Sequence, residues 1–361
     1  MLSVTFIIHS PAPYHVELFD ALTATGEIKL AVMYLNVREE GRQWSQPSMA
    51  HQALFFGDQN PAASDAFEAD LVVIGFANHP LSRRLMAERN AQGRRWAFWG
   101  ERPGAHSRGL AGRLVRRWRL RSLHRSSAPI WGIGRWAVDA YKREIGGRRQ
   151  FRNLPYFSNL HRFQNQDCPP AEATRTGLHF LFVGGLSQRK GADLVLAAFQ
   201  QLHADQPLAG HTLTFTGSGP LMAPLQNDAA PLGDACQVAG FTDWSELPPT
   251  YRRHDCLVVP SRYDGWGMVV PEGLAAGLPV IASDCMGAAL DLIDPNVNGW
   301  RAAAGSLQSL LSQMAEAASA LATDRSSWRE RAISSVAHHQ LDDGVTAFLT
   351  AIRAAMDPSP C

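Results

Sequence analysis

Cysteine is scarce in this 361-residue chain: Cys168, Cys236, Cys256, Cys285 and Cys361 are all it has, and they are scattered. Their spacings fit neither a disulfide framework nor a metal site, and Cys256 and Cys285 fall in or beside expected strands. A cytoplasmic location is the expectation that follows. Long apolar runs are lacking too, and nothing approaches the roughly 18 to 20 residues of a membrane-spanning helix. The opening MLSVTFIIHSP has no basic segment and only a short apolar run ended by Ser10 and Pro11, so it reads as a buried strand and not as a signal peptide. Low-complexity tracts are absent, and apart from two similar halves there is no internal repeat.

What is present describes a globular protein: 45% of the residues are apolar and 19% charged. The length suits two domains of about 150 to 180 residues each. A net charge of +1 conceals an asymmetry, because residues 1–160 hold 22 basic against 13 acidic side chains and residues 161–361 hold 12 against 20. A basic first half faces something anionic: a phosphate-bearing acceptor, a membrane surface or nucleic acid. The charge comes without an aromatic-interleaved platform or a recognition motif, which sets nucleic acid aside.

Along the first half, apolar β-branched runs at 4–9, 28–36, 69–75, 94–100 and 129–134 predict strands. Periodic segments at 15–24, 80–91, 107–126 and 135–146 predict helices. The polar stretch 38–65 is read as a long loop with an irregular strand. In the second half, strands are expected at 178–185, 211–217 and 236–241. Helices are expected from Ala192, near 220–229 and near 246–253, and again over 307–321, 327–339 and 343–356. The alternation predicts an α/β protein of two Rossmann-like, doubly wound domains with parallel sheets. The boundaries read from it are 1–160, a linker over 161–177, a second domain over 178–345 and a last helix over 346–361.

The most informative stretch is CLVVPSRYDGWGMVVPEGLAAGLPVIASD, Cys256 to Asp284. Two short strands flank a Gly-rich turn and a short helix. The loop Asp264-Gly265-Trp266-Gly267 lies where a strand's carboxyl end meets a helix's amino end, the place where open α/β sheets bind ligands. Gly265 and Gly267 let backbone amides approach a ligand closely. Pro271 is tolerable only in the first helical turn, so Met268 and Val269 open the helix. Glu272 follows Asp264 by eight residues, and two carboxylates so placed can reach opposite ends of one ligand. A second motif, Phe182-Val183-Gly184-Gly185-Leu186-Ser187-Gln188-Arg189-Lys190-Gly191, runs a strand into a Gly-rich loop with adjacent cations ahead of a helix, an arrangement suited to a diphosphate. Two weaker signals, Thr216-Gly217-Ser218-Gly219-Pro220 and Gly240-Phe241-Thr242, follow the next two strands.

These motifs resemble the family 4 retaining glycosyltransferases of glycosyl transferases group 1. Pro260-Ser261, the acid at 264, Gly265, Gly267, Glu272 and Ala275 to Val280 stand in register with that family's signature. Asp264 replaces the usual glutamate and Trp266 the usual phenylalanine. The resemblance implies the GT-B fold, two Rossmann-like domains facing a central cleft, with the last helix crossing back to the first domain. It implies transfer from a nucleotide diphosphate sugar with retention, without a metal ion, the leaving phosphate assisting the acceptor hydroxyl. Lys190 and Arg189 then hold the diphosphate with the helix end at Gly267, and Asp264 holds a sugar hydroxyl as a positioning residue. Glu272 accepts from the ribose, and Gly184, Gly185, Gly217, Ser218, Gly240, Phe241, Gly265, Trp266, Met268 and Val269 line the donor. Family members usually carry a cation where Gly185 stands here. Either Arg189 supplies the missing charge or donor binding is weaker.

On the acceptor side the resemblance points to the loops His9 to His15, Asn78-His79-Pro80 and Gly100-Glu101-Arg102. Glu101 either orients an acceptor hydroxyl or pairs with Arg102; His9 and His15 read as packing or turn residues. The segment 109–125 can form a basic helix with Leu110, Leu114, Val115, Trp118 and Leu123 along one side. Such a helix either lies on the inner face of an anionic membrane, suiting a lipid-linked acceptor, or packs on its own sheet. The expected activity is sugar transfer in bacterial polysaccharide or glycolipid assembly. The alternative, motivated by Gly185 and Asp264, is a degenerate relative that binds a nucleotide sugar or glycan without turnover.

Overall fold

In a computed structural model the chain is described at residues 1–37, 43–57, 66–103, 109–146, 149–164, 177–207 and 209–357. It divides into two compact units, Met1–Asn159 with Gln340–Cys361, and Leu160–His339.

The first unit is built on seven parallel strands: β1 (Leu2–Ile8), β2 (Ile28–Tyr34), β3 (Gln52–Phe55), β4 (Leu71–Ile74), β5 (Trp96–Gly100), β6 (Ile130–Gly132) and β7 (Phe151–Asn153). They lie in the order β3-β2-β1-β4-β5-β6-β7. Parallel neighbours cannot be joined by tight turns, so helices carry the chain back. These are α1 (Pro13–Ala24), α2 (Pro80–Ala91), α3 (Gly109–Arg119), α4 (Arg121–His124) and α5 (Arg135–Ile145). Residues 4–8 of β1 and all of β4 and β5 are buried, which is why they read as unbroken apolar runs and not as alternations.

The second unit opens with the short α6 (His161–Gln164). Six parallel strands follow, β8 (His179–Val183), β9 (Thr212–Thr216), β10 (Cys236–Gly240), β11 (Cys256–Val259), β12 (Val280–Ser283) and β13 (Gly299–Ala302), in the order β10-β9-β8-β11-β12-β13. Their helices are α7 (Ala192–Asp205), α8 (Met222–Ala229), α9 (Leu247–Arg252), α10 (Val269–Ala275), α11 (Gly287–Leu292), α12 (Leu307–Thr323) and α13 (Arg325–Ser335). On α7, Val195, Leu196, Phe199 and Leu202 make the buried stripe expected of a helix lying on a sheet. The final helix, α14 (Leu341–Met356), belongs to the first unit. It is held at its start by a capping box between Gln340 and Asp343 and drives Phe348 among Phe6, Trp99 and Trp131 at ring separations of 6.1, 5.1 and 6.2 Å.

Several boundaries differ from the sequence reading. Residues 160–164 are packed in the second unit, with Phe163 edge-on to Tyr251 at 5.3 Å, instead of starting a linker; residues 165–176 lie outside the described residues. The second unit ends at His339 and not at 345, since Gly344 on α14 abuts Phe157 of the first unit. The arginine-rich helix, expected unbroken over 107–126, bends at Leu120 into α3 and α4. Leu123 is fully buried while Leu114, Val115 and Trp118 are exposed, so Leu123 does not share the side that those three occupy. Among the strands, β7 and β13 went unread because three or four residues with a charged member show no usable periodicity.

Candidate functional site

In the second sheet the strand order reverses between β8 and β11, with β9 and β10 to one side and β12 and β13 to the other. At such a reversal the connections leave in opposite directions and open a crevice beyond the strands' carboxyl ends. Both principal motifs begin there, Gly184 directly after β8 and Pro260 directly after β11.

The loops are fixed by their own backbone. Gly184 N–H donates to the Thr216 carbonyl, Leu186 N–H to Ser218, and Gly217 N–H to Gly240 at 2.7 Å, stitching the ends of β8, β9 and β10 together. Gly217 has φ +147° and a Cβ there would stand 1.9 Å from the Gly184 carbonyl oxygen, so no other residue fits. Gly191, at φ +79°, lets the first motif close onto the second: a Cβ would stand 2.5 Å from the Pro260 oxygen. The Ser187 hydroxyl accepts from Lys190 N–H and caps the short 3-10 turn Gln188–Lys190. Arg262 forks onto Asp193 with two bonds of 2.7 Å and also donates to the Gln188 carbonyl, bracing one loop against the other. This charge-assisted pair raises the Arg262 pKa above its ordinary value. Sequence reasoning missed the brace, which joins residues 69 positions apart.

The brace leaves Lys190 Nζ 2.5 Å from Asp264 Oδ2, with the side chains 19% and 14% exposed. A pair so sheltered from water interacts more strongly than an exposed one. The structure therefore brings together the cation and the carboxylate that the sequence singled out separately. Asp264 is aligned by its own N–H, which donates to the Cys285 carbonyl at 3.0 Å. Arg189 is exposed and donates instead to the Tyr263 carbonyl at 3.3 Å. Gly185 faces open space: the nearest atom to a Cβ there is the Ser218 oxygen at 3.9 Å.

Glu272, in the first turn of α10, accepts from the Tyr251 hydroxyl at 2.9 Å. Tyr251 is fully buried, and burial together with the neighbouring carboxylate pushes its pKa well up, so the hydroxyl stays protonated and donates. No local pattern marks Tyr251; it lies 21 residues before its partner. Trp266 requires a correction as a ligand-lining side chain. Its indole is 1% exposed and stacked on His339 at 5.7 Å, because an apolar bicycle gains more from packing than from the loop surface. Of the two loop glycines, Gly267 has a positive φ of +97°, whereas Gly265 has none; Gly265 presents its carbonyl to Gly287, 2.4 Å from where a Cβ would be. Gly240, Met268 and Val269 stand beside these loops, and Phe241 exposes 42% of its surface.

In the first unit Glu101 is exposed at the carboxyl end of β5. Its carboxylate accepts from Tyr156 at 3.1 Å and its carbonyl from Tyr141 at 2.9 Å, while Arg102 lies 3.5 Å over the Trp136 ring. His15 is packed among Tyr14, Phe19, Trp99 and Tyr156, and burial lowers its pKa to about 3. His79 caps α2 by accepting from Leu81 N–H. Among the described residues no cluster of three or more His, Cys, Asp or Glu could hold a metal ion.

Residues 177–324 match the family model for glycosyl transferases group 1. An uncharacterized glycosyltransferase of Methanocaldococcus jannaschii is 33% identical over 123 residues, 33% of this chain and 30% of that one. The glycogen synthase of Mycobacterium tuberculosis is 35% identical over 120 residues, 32% of this chain and 28% of that one. The chain thus spans about a third of the length of the curated relatives it matches. Anabaena HepE in complex with UDP shares the two-sheet fold, with TM-score 0.74 at 14% identity over 98% of this chain and 100% of that one.

Proposed function

We propose that this chain, whose residues 177–324 match the family model for glycosyl transferases group 1 and which shares the two-sheet fold of HepE, moves a sugar from a nucleotide diphosphate sugar to a hydroxyl acceptor. The observation that carries the reading is the Lys190–Asp264 pair at the reversal of the second sheet. A ligand that joins a phosphate to a hydroxylated ring addresses both partners at once: the phosphate takes the ammonium and a ring hydroxyl donates to the carboxylate. Glu272, steadied by Tyr251, accepts from the ribose, and Phe241 offers a face to the base. UDP in HepE supports a nucleotide donor.

During transfer the bond from the anomeric carbon to the diphosphate oxygen breaks and its electron pair stays on the diphosphate. Lys190, with Arg189 beside it, meets that growing charge, so the stabilising cations are side chains and no metal ion enters the scheme. The acceptor oxygen bonds to the anomeric carbon on the face the diphosphate leaves, with retention, and its proton passes to the departing phosphate. The acceptor is a glycan or a lipid-linked sugar of a bacterial polysaccharide or glycolipid, met at the cytoplasmic face of the membrane.

Thermal shifts against nucleoside diphosphates and monophosphates test the donor half. Diphosphates stabilise the protein more; equal shifts would remove Lys190 from the site. Slow hydrolysis of a nucleotide sugar, lost in Glu272→Ala, tests turnover. Donor binding without hydrolysis or transfer to any acceptor would overturn the enzymatic reading.

A further inference from the structure

An ordinary surface helix turns its apolar side inward; α3 does the reverse. Leu114, Val115 and Trp118 are 69%, 50% and 64% exposed, three of the eight large apolar side chains exposed among the described residues. At about 100° per residue they share one arc of roughly 100°. Arg117 and Arg119, both exposed, flank that arc on either edge, and Arg121 stands 5.4 Å from the Trp118 ring. Arg116 points the other way. Its guanidinium grips both oxygens of Glu144 on α5 at 2.7 Å, with both side chains largely sheltered, and so sets the rotation of the helix.

From Arg102 to Val138 the chain has nine arginines and neither an aspartate nor a glutamate. The occupant of this face therefore carries negative charge at its rim and apolar matter at its centre. We propose that the outward face of α3 docks on an anionic lipid bilayer, with Leu114, Val115 and Trp118 entering the acyl boundary and Arg117, Arg119 and Arg121 meeting lipid phosphates. Nucleic acid fits the arginines but has no use for two exposed aliphatic side chains beside them. The inference deepens the proposed function by placing the acceptor on lipid, and it rests on that reading for the acceptor's class.

The test is co-sedimentation of the full chain with vesicles of phosphatidylcholine alone and of phosphatidylcholine mixed equally with phosphatidylglycerol. Wild type sediments with the mixed vesicles only. Leu114→Ser with Trp118→Ser, and separately Arg117→Glu with Arg119→Glu, each lower the bound fraction about tenfold or more, while the melting temperature and its shift by a nucleoside diphosphate stay unchanged. Equal sedimentation with both vesicle types, no effect of either double variant, or tighter retention on an oligonucleotide at the same salt overturns the docking surface. Vesicle binding without stabilisation by the diphosphate leaves the surface standing and sinks the donor reading instead.

Discussion

Gly185→Arg is the substitution that examines the site most sharply, because it adds a function instead of removing one. Position 185 follows β8 by two residues, its φ is not positive, and a Cβ there meets nothing nearer than the Ser218 oxygen at 3.9 Å. An arginine side chain can therefore enter the space beside the sheet reversal without displacing backbone. A guanidinium about 4 Å from a phosphate gains about 4 kcal/mol at an effective dielectric near 20. Ordering the side chain costs about 2 kcal/mol. The remaining 2 kcal/mol or so corresponds to a Kd roughly thirtyfold lower. Isothermal titration with a nucleoside diphosphate reads it, with Gly185→Ala separating charge from the loss of a glycine. The diphosphate affinity rises for the arginine variant alone, and the monophosphate gains less. An unchanged or higher Kd in a variant that melts like wild type refutes the placement of the diphosphate at the end of β8.

Lys190→Ala raises the diphosphate Kd by about tenfold to a hundredfold, the worth of a charge-assisted bond, and lowers kcat/KM with it; an unaltered kcat/KM removes Lys190 from the reaction. Tyr251→Phe weakens binding of a ribonucleoside diphosphate several-fold more than that of its 2′,3′-dideoxy counterpart, because Tyr251 acts through Glu272; equal losses would make its role purely structural. His15 is held neutral by burial, its pKa lowered to about 3 against 6.5 in the unfolded chain. Below pH 6.5 the unfolded state takes up a proton that the folded state refuses, so stability falls as pH falls. The contribution is about 2 kcal/mol between pH 7 and 5. Urea melts of wild type and His15→Gln at both pH values test it, and parallel losses refute the assignment.

Much of this was legible in the chain because the informative residues are local. Pro260 to Gly267 and Gly184 to Gly191 each carry their glycines, acid or cations within eight positions, and the strands they follow are unbroken apolar runs. What the sequence hid depends on pairing across distance or on orientation. Arg262 meets Asp193 because β8 and β11 are neighbours in the sheet, and Tyr251 meets Glu272 because the helices before and after β11 bring them together. Trp266 occupies a motif position, yet its indole turns to His339, far along the chain. The helical period placed Leu114 and Trp118 on one side of α3, but the side that faces the protein was decided by Arg116 and Glu144.

The route of α14 has a consequence for biosynthesis. The ribosome makes residues 1–159 first, yet the Phe348 ring that completes the cluster of Phe6, Trp99 and Trp131 is translated only after all of residues 160–339. The unit that emerges last can close while the one that emerged first still waits for its final helix. A stalled nascent chain ending before Gln340 would display those aromatics to chaperones while residues 160–339 could already have folded.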